Sequence, residues 1–199
     1  MEKQHHYTTS LTWTGNKGPG TTNYKAYDRD YIIQVNGKPD LTGSSDPSFR
    51  GSPSRYNPEE LLLSSISSCH MLWYLHLCSV NNIVVIDYQD QARGLMIERP
   101  DGSGYFKEVI LYPIVTLSIV PAAGITSTSI PPNTSSIPAS GTSTSSVPGV
   151  STSIPLTDNA LIERATALHH EAHKMCFIAN SCNFPIRHEP SFQTASSVS

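Results

Sequence analysis

The alternation of apolar and polar positions divides the chain into segments of different character. "HYTTSLTWT" (6–14) and "TNYKAYDRDYIIQV" (22–35) are rich in Thr, Tyr, Ile and Val, which suit a pleated, half-buried surface, so both are predicted to be strands. The link "GNKGPG" (15–20) supplies the glycines and proline of a turn, and the two strands are expected to pair antiparallel. No Gly-Lys-Ser/Thr ending follows that link, which argues against a phosphate-binding loop. Residues 36–56 are polar, with Gly, Pro, Ser and Asp throughout, and read as a long loop over one face.

The pattern then changes to "YNPEELLLSSISSCHMLWYLHLC" (56–78). Asn57 is a good N-cap, Pro58 suits the first helical position, and Glu60 stands three residues on as in a capping box. A helix over about 58–79 follows. Its apolar residues run nearly all the way round, as when both flanks are buried, and Ser64, Ser65, Ser67 and Ser68 let another element approach closely. The apolar run at 61–79 is near the length of a membrane span, but serines, two histidines and Cys69 interrupt it, so it reads as a buried core helix.

Two more strands are predicted at about 83–98 and 105–120, joined by the turn signal "PDGSG". Residues 121–156 carry no charge, consist mostly of Ser, Thr, Pro, Gly and Ala, and repeat a Ser-(Ile/Val)-Pro unit. Such a segment buries too little apolar surface to offset its ordering entropy, and a flexible insertion is expected. "TDNALIERATALHHEAHKMC" follows, with Thr157 or Asp158 as cap and Leu161, Ile162, Ala165, Leu168, Ala172 and Met175 as one apolar stripe. "NFPIRHE" (183–189) is a candidate last strand, and the tail from 190 onward is expected to be loose. The order of elements indicates an α+β fold, and 199 residues suit a single domain spanning 1–199.

Thirteen basic and sixteen acidic residues give a net charge of −3, with no basic cluster, which argues against nucleic acid or an anionic membrane as partner. Four cysteines are too few and scattered for a disulfide framework, and "MEKQHHYTTS" lacks the apolar stretch of a signal peptide. The expectation is a cytoplasmic protein with reduced thiols. A lone buried cysteine is ordinarily a packing residue. Cys69, however, is followed by the polar His70, and Cys176 follows a helix dense in histidine, where it could resolve an oxidised first thiol.

"YNPEELLLSSISSCHMLWYLHLC" together with "HHEAHKMCFIANSCNFPI" closely resembles the OsmC/Ohr family of organic hydroperoxide reductases, over about 6–120 and 157–188. The resemblance implies antiparallel sheets packed around a long buried central helix, in an intertwined α+β homodimer. It implies a thiol peroxidase without a cofactor or metal, acting on organic hydroperoxides. Cys69 would be the peroxidatic thiol, Cys176 the resolving thiol, and Glu59 the carboxylate that holds an arginine against the thiolate. A dithiol, in the family a lipoylated protein, would reopen the Cys69–Cys176 disulfide.

Physical chemistry adds constraints. A free thiol has a pKa of about 8.5, and the helix dipole fades within the first turn whereas Cys69 lies about three turns in. Another segment must therefore deliver a cation. Glu59 and Cys69 are about 15 Å apart on an unbroken helix, so either the helix breaks or Glu59 serves the partner subunit. Relatives carry an arginine in the first turn, where this chain has Lys17, a point charge without the planar fork. Arg50 is the favoured replacement, because Arg55 lies close enough to the helix start to pair with Glu59 or Glu60.

His70 is either a general acid for the departing alkoxide or a hydrogen-bonded core histidine. His169, His170 and His173 with Cys176 are read as solvated or capping histidines in preference to a zinc site. His76 is read as structural, Trp73 and Tyr74 as core, Cys78 as pointing away from Cys69, and Cys182 as passive. Rival readings are a metal-binding protein that has lost the peroxidase, or a redox sensor docking through the insertion.

Overall fold

Asn57 closes the first turn of the helix that organises the chain. Its Oδ1 accepts the Glu60 amide at 2.7 Å, while Glu60 Oε2 accepts the Asn57 amide at 3.1 Å, the reciprocal capping box expected. Helix α1 (Pro58–Val80) then runs unbroken for 23 residues. A computed structural model describes residues 3–119 and 158–195. The segment 121–156 with its Ser-Pro units, the Thr157 cap and residues 196–199 lie outside the described residues.

Burial on α1 falls on one stripe, Ile66, His70, Tyr74 and Cys78, at a spacing of four. The opposite stripe, Ser64, Ser68, Leu72 and His76, is exposed, with Leu72 63% accessible. Burial all round is thus not met within one chain. Ile66 packs with Val109 and Leu111, whereas Tyr74 and Cys78 pack with Ile83, Val115, Leu117 and Leu161. His70 stands at the seam between these two cores. The length and hydropathy of α1 would also suit a membrane span, but here it supports α2, α3 and β4, defined below.

Strands β1 (Ser10–Trp13) and β2 (Tyr31–Gln34) pair antiparallel, Leu11 opposite Ile33. The second strand begins later than expected because residues 21–30 coil around Arg29. Its guanidinium stacks on Tyr24 and Tyr27, 4.2 and 4.3 Å from the ring centres, and donates to both their carbonyls at 2.6 Å. The stretch read as a long loop holds strand β3 (Leu41–Gly43), antiparallel to β2. Gly43 is required there, since a Cβ would stand 2.2 Å from the Tyr31 ring.

The two strands expected at 83–98 and 105–120 are each bent at the middle, giving β4 (Val85–Asp90), β5 (Arg93–Glu98), β6 (Gly104–Leu111) and β7 (Pro113–Ser118). Asp90 pins the bend, accepting the Tyr112 amide at 2.7 Å and the Ser67 hydroxyl at 2.5 Å. Helix α2 (Asp158–Met175), the single turn α3 (Phe177–Asn180), β8 (Ile186–His188) and β9 (Ser191–Ala195) complete the chain. The three sheets are β1-β2-β3, β4-β7-β9 and β5-β6-β8.

Two expectations are corrected here. The tail from 190 is not loose up to Ala195, because β9 pairs in parallel with β7 and Phe192 packs on the core. The sheets are mixed, since β8 also runs parallel to β6. On α2 the buried residues are Leu161, Ala165, His169 and Ala172, while Met175 is 41% exposed.

Candidate active site

Cys69, half-buried on α1, faces Cys176, which is buried at the N-cap of α3. Both are free thiols. Cys176 Sγ accepts the Ala179 amide at 3.4 Å. Burial pushes the Cys176 thiol up to about 11, against the pull of the Ala179 bond and with the adjoining Cys69 adding to the rise. The turn α3 is tied back by Asn180 Nδ2, which donates to the Lys174 carbonyl at 2.8 Å.

An apolar cleft of about 270 Å³, lined by Leu72, Trp73 and His76, lies on the Cys69 side of α1, one to two turns on. The Trp73 ring meets Phe177 edge-on at 5.7 Å and His76 at 5.8 Å. Phe177 itself, next to Cys176, is 68% exposed. His76 is therefore a surface residue of this cleft and not a core one. A larger cleft of about 450 Å³, lined by Ser64, Ser67, Met71 and Asp90, opens on the other flank of α1 from Cys69.

The charged candidates gather elsewhere. Lys17 pairs with Asp28 at 2.7 Å, and Arg55 pairs with Asp30 at 3.2 Å, not with Glu59 or Glu60 as expected. Arg50 holds a left-handed backbone with φ 67° and lies 6.0 Å from the Tyr24 ring centre. Among the described residues it pairs with no carboxylate. Glu59 sits against Tyr31, whose phenol pKa is raised by burial and then by that carboxylate. Its Oε2 is buried without a hydrogen-bond partner among the described residues. Because α1 does not break, Glu59 and Cys69 stay about 15 Å apart in one chain. Sequence reasoning passed over Arg29, although the two tyrosines before it in "YKAYDR" were visible.

His70 turns away from the thiols. It is 1% exposed, and its Nε2 lies 2.9 Å from Nδ1 of His169, itself fully buried. Burial and then the imidazoles of His188 and His173 hold His70 down to about 4. Burial and then His70, His188 and His170 hold His169 down to about 2. Burial and the bond to His169 fit the core-histidine reading of His70. His169 is likewise neither solvated nor capping: a spacing of four from Ala165 places it on the buried stripe. Among the described residues, no three ligand-type side chains form a group that could hold a metal ion.

Cys78 is buried beside Tyr74, its thiol pushed up to about 11 chiefly by burial. Cys182 donates to the Ile178 carbonyl at 3.3 Å and packs on the core around Ile66.

No family model and no curated protein matches the chain. Solved structures do. An OsmC-like protein of unknown function from Vibrio cholerae aligns at TM-score 0.66 and 23% identity, over 94% of this chain and 100% of that one. An organic hydroperoxide resistance protein from Elizabethkingia anophelis aligns at 0.55 and 17%, over 97% and 100%. One from Legionella pneumophila, described also as a predicted redox protein, aligns at 0.54 and 16%, over 96% and 99%. At these identities the likeness is one of fold: the chain has the OsmC-like fold.

Proposed function

We propose that this OsmC-fold protein is a thiol peroxidase that reduces organic hydroperoxides to alcohols. The observation that carries this reading is the apposition of two free thiols, half-buried Cys69 and buried Cys176, with an apolar cleft one to two turns along the same side of α1. Cys69 as thiolate attacks the distal oxygen of ROOH, the O–O bond breaks, and ROH leaves with a proton. Cys69 is then a sulfenic acid. Cys176 attacks its sulfur, water departs, and a disulfide closes. A dithiol of the lipoyl kind reopens it, so that ROOH and the dithiol become ROH, water and the cyclic disulfide.

Trp73 and Phe177 receive the alkyl group. Arg50, with no carboxylate of its own, and Glu59 come to Cys69 from the partner of an intertwined homodimer. The exposed stripe Ser64, Ser68 and Leu72 lets two copies of α1 meet. The working form is a cytoplasmic homodimer of one domain interrupted by the 121–156 segment. Trapping with dimedone tests the first step: organic peroxide should label Cys69 in Cys176→Ser, and label appearing on no cysteine would refute it.

A further inference from the structure

His70 and His169 are joined head to head. Their ring centres are 5.2 Å apart, the 2.9 Å nitrogen separation plus about one ring width, and their planes differ by 9°. One ring therefore donates its N–H straight along the lone pair of the other. The Tyr74 ring lies flat on His169 at 3.8 Å, and His188 flanks both imidazoles at 5.4 and 5.8 Å. The bond ties α1 to α2 at the seam between the two cores. Along the chain it lies one residue from Cys69 and seven before Cys176, whose amide donates to the His173 carbonyl at 3.2 Å.

On the face it shares with α1, α2 offers Leu161 and the small side chains of Ala165 and Ala172 to the core. A directional bond between two buried rings adds a fixed distance and angle to that packing. We propose that His169 is a positioning residue whose bond to His70 sets the register of α2 on α1, and with it the apposition of Cys176 and Cys69. The inference rests on the reading of these two cysteines as a redox pair.

A neutral pair has one donor and one acceptor at the junction, as the 2.9 Å separation requires. The groups facing the pair are imidazoles and phenols: His188 on β8, His170 and His173 on α2, Tyr74 on α1, with Tyr88 of β4 behind Tyr74. An Asn amide reaches where His Nδ1 lies and works as donor or acceptor, so Asn at 169 keeps the bond whether His70 is neutral or charged. Gln reaches instead to the position of Nε2.

The test uses 2,2′-dithiodipyridine, which needs no peroxidase activity. Cys69 thiolate attacks the reagent and releases one pyridine-2-thione. Cys176 then attacks the mixed disulfide, closes Cys69–S–S–Cys176 and releases the second, the sites being located by peptide mass spectrometry. The second release should be within threefold of wild type in His169→Asn and at least tenfold slower in His169→Ala and His169→Gln. Should the 169 variants misfold, His70→Gln, which mimics Nε2, against His70→Leu repeats the comparison. Equal closure in the Asn, Gln and Ala variants overturns the role of His169. No second release in wild type instead overturns the thiol-pair reading beneath it.

Discussion

Glu59 and Cys69 ride on one uninterrupted helix about 15 Å apart, so the carboxylate cannot reach the thiol of its own chain. Glu59 Oε2 is buried without a hydrogen-bond partner among the described residues, although Tyr31 lies near it. An orphaned buried carboxylate oxygen is costly and calls for a donor. Under the dimer reading that donor is an arginine meeting the opposite thiolate.

Leu72 stands exposed in the middle of the open stripe of α1. Leu72→Glu should convert a dimer to a monomer in light scattering and lower peroxide turnover by about tenfold or more, at least 1.4 kcal/mol in barrier. A variant that stays dimeric and active contradicts the interface.

Trp73→Ala widens the cleft one turn along α1 from Cys69 and removes its largest apolar wall. Its kcat/KM for cumene hydroperoxide should fall by about 10- to 100-fold, while that for hydrogen peroxide changes little. Parallel losses on both substrates would mean that the ring supports the fold and not the alkyl group.

Asn57→Ala removes the side-chain half of the capping box. The helix start should lose about 1 kcal/mol, read as a lower urea midpoint with unchanged slope.

His70 and His169 have folded pKa values of about 4 and about 2, well below the unfolded value near 6.5, chiefly through burial. Stability is therefore full above pH 6.5 and is lost as pH falls, since only the unfolded chain takes up protons there. The slope reaches about 1.4 kcal/mol per pH unit for each ring. Urea midpoints from pH 7 to 5 should fall in wild type and less steeply in His169→Asn.

What the sequence revealed was local. The capping box of Asn57 and Glu60 and the "PDGSG" turn depend on neighbours within a few residues, and both are present in the fold. Strand β9 was missed because its partner, β7, lies more than seventy residues away, and nothing in "SFQTA" distinguishes it from a loose tail. His169 was misread because residue type spoke for solvent while its spacing from Leu161 and Ala165 spoke for the core, and the spacing prevailed. The late start of β2 follows from a tertiary clamp, the Arg29 guanidinium between two tyrosines. The cation for Cys69 was hardest to read, because Lys17 and Arg55 pair with Asp28 and Asp30 and nothing in the local pattern marks which basic residue would meet a thiolate.

Steady-state reduction of cumene hydroperoxide and hydrogen peroxide, with dihydrolipoamide as reductant, tests the peroxidase reading most directly. Wild type should turn over, with kcat/KM clearly higher for the organic peroxide. Cys69→Ser should lose all turnover, and Cys176→Ser should react once and stop. Absence of turnover in wild type, or activity that survives Cys69→Ser, would contradict it.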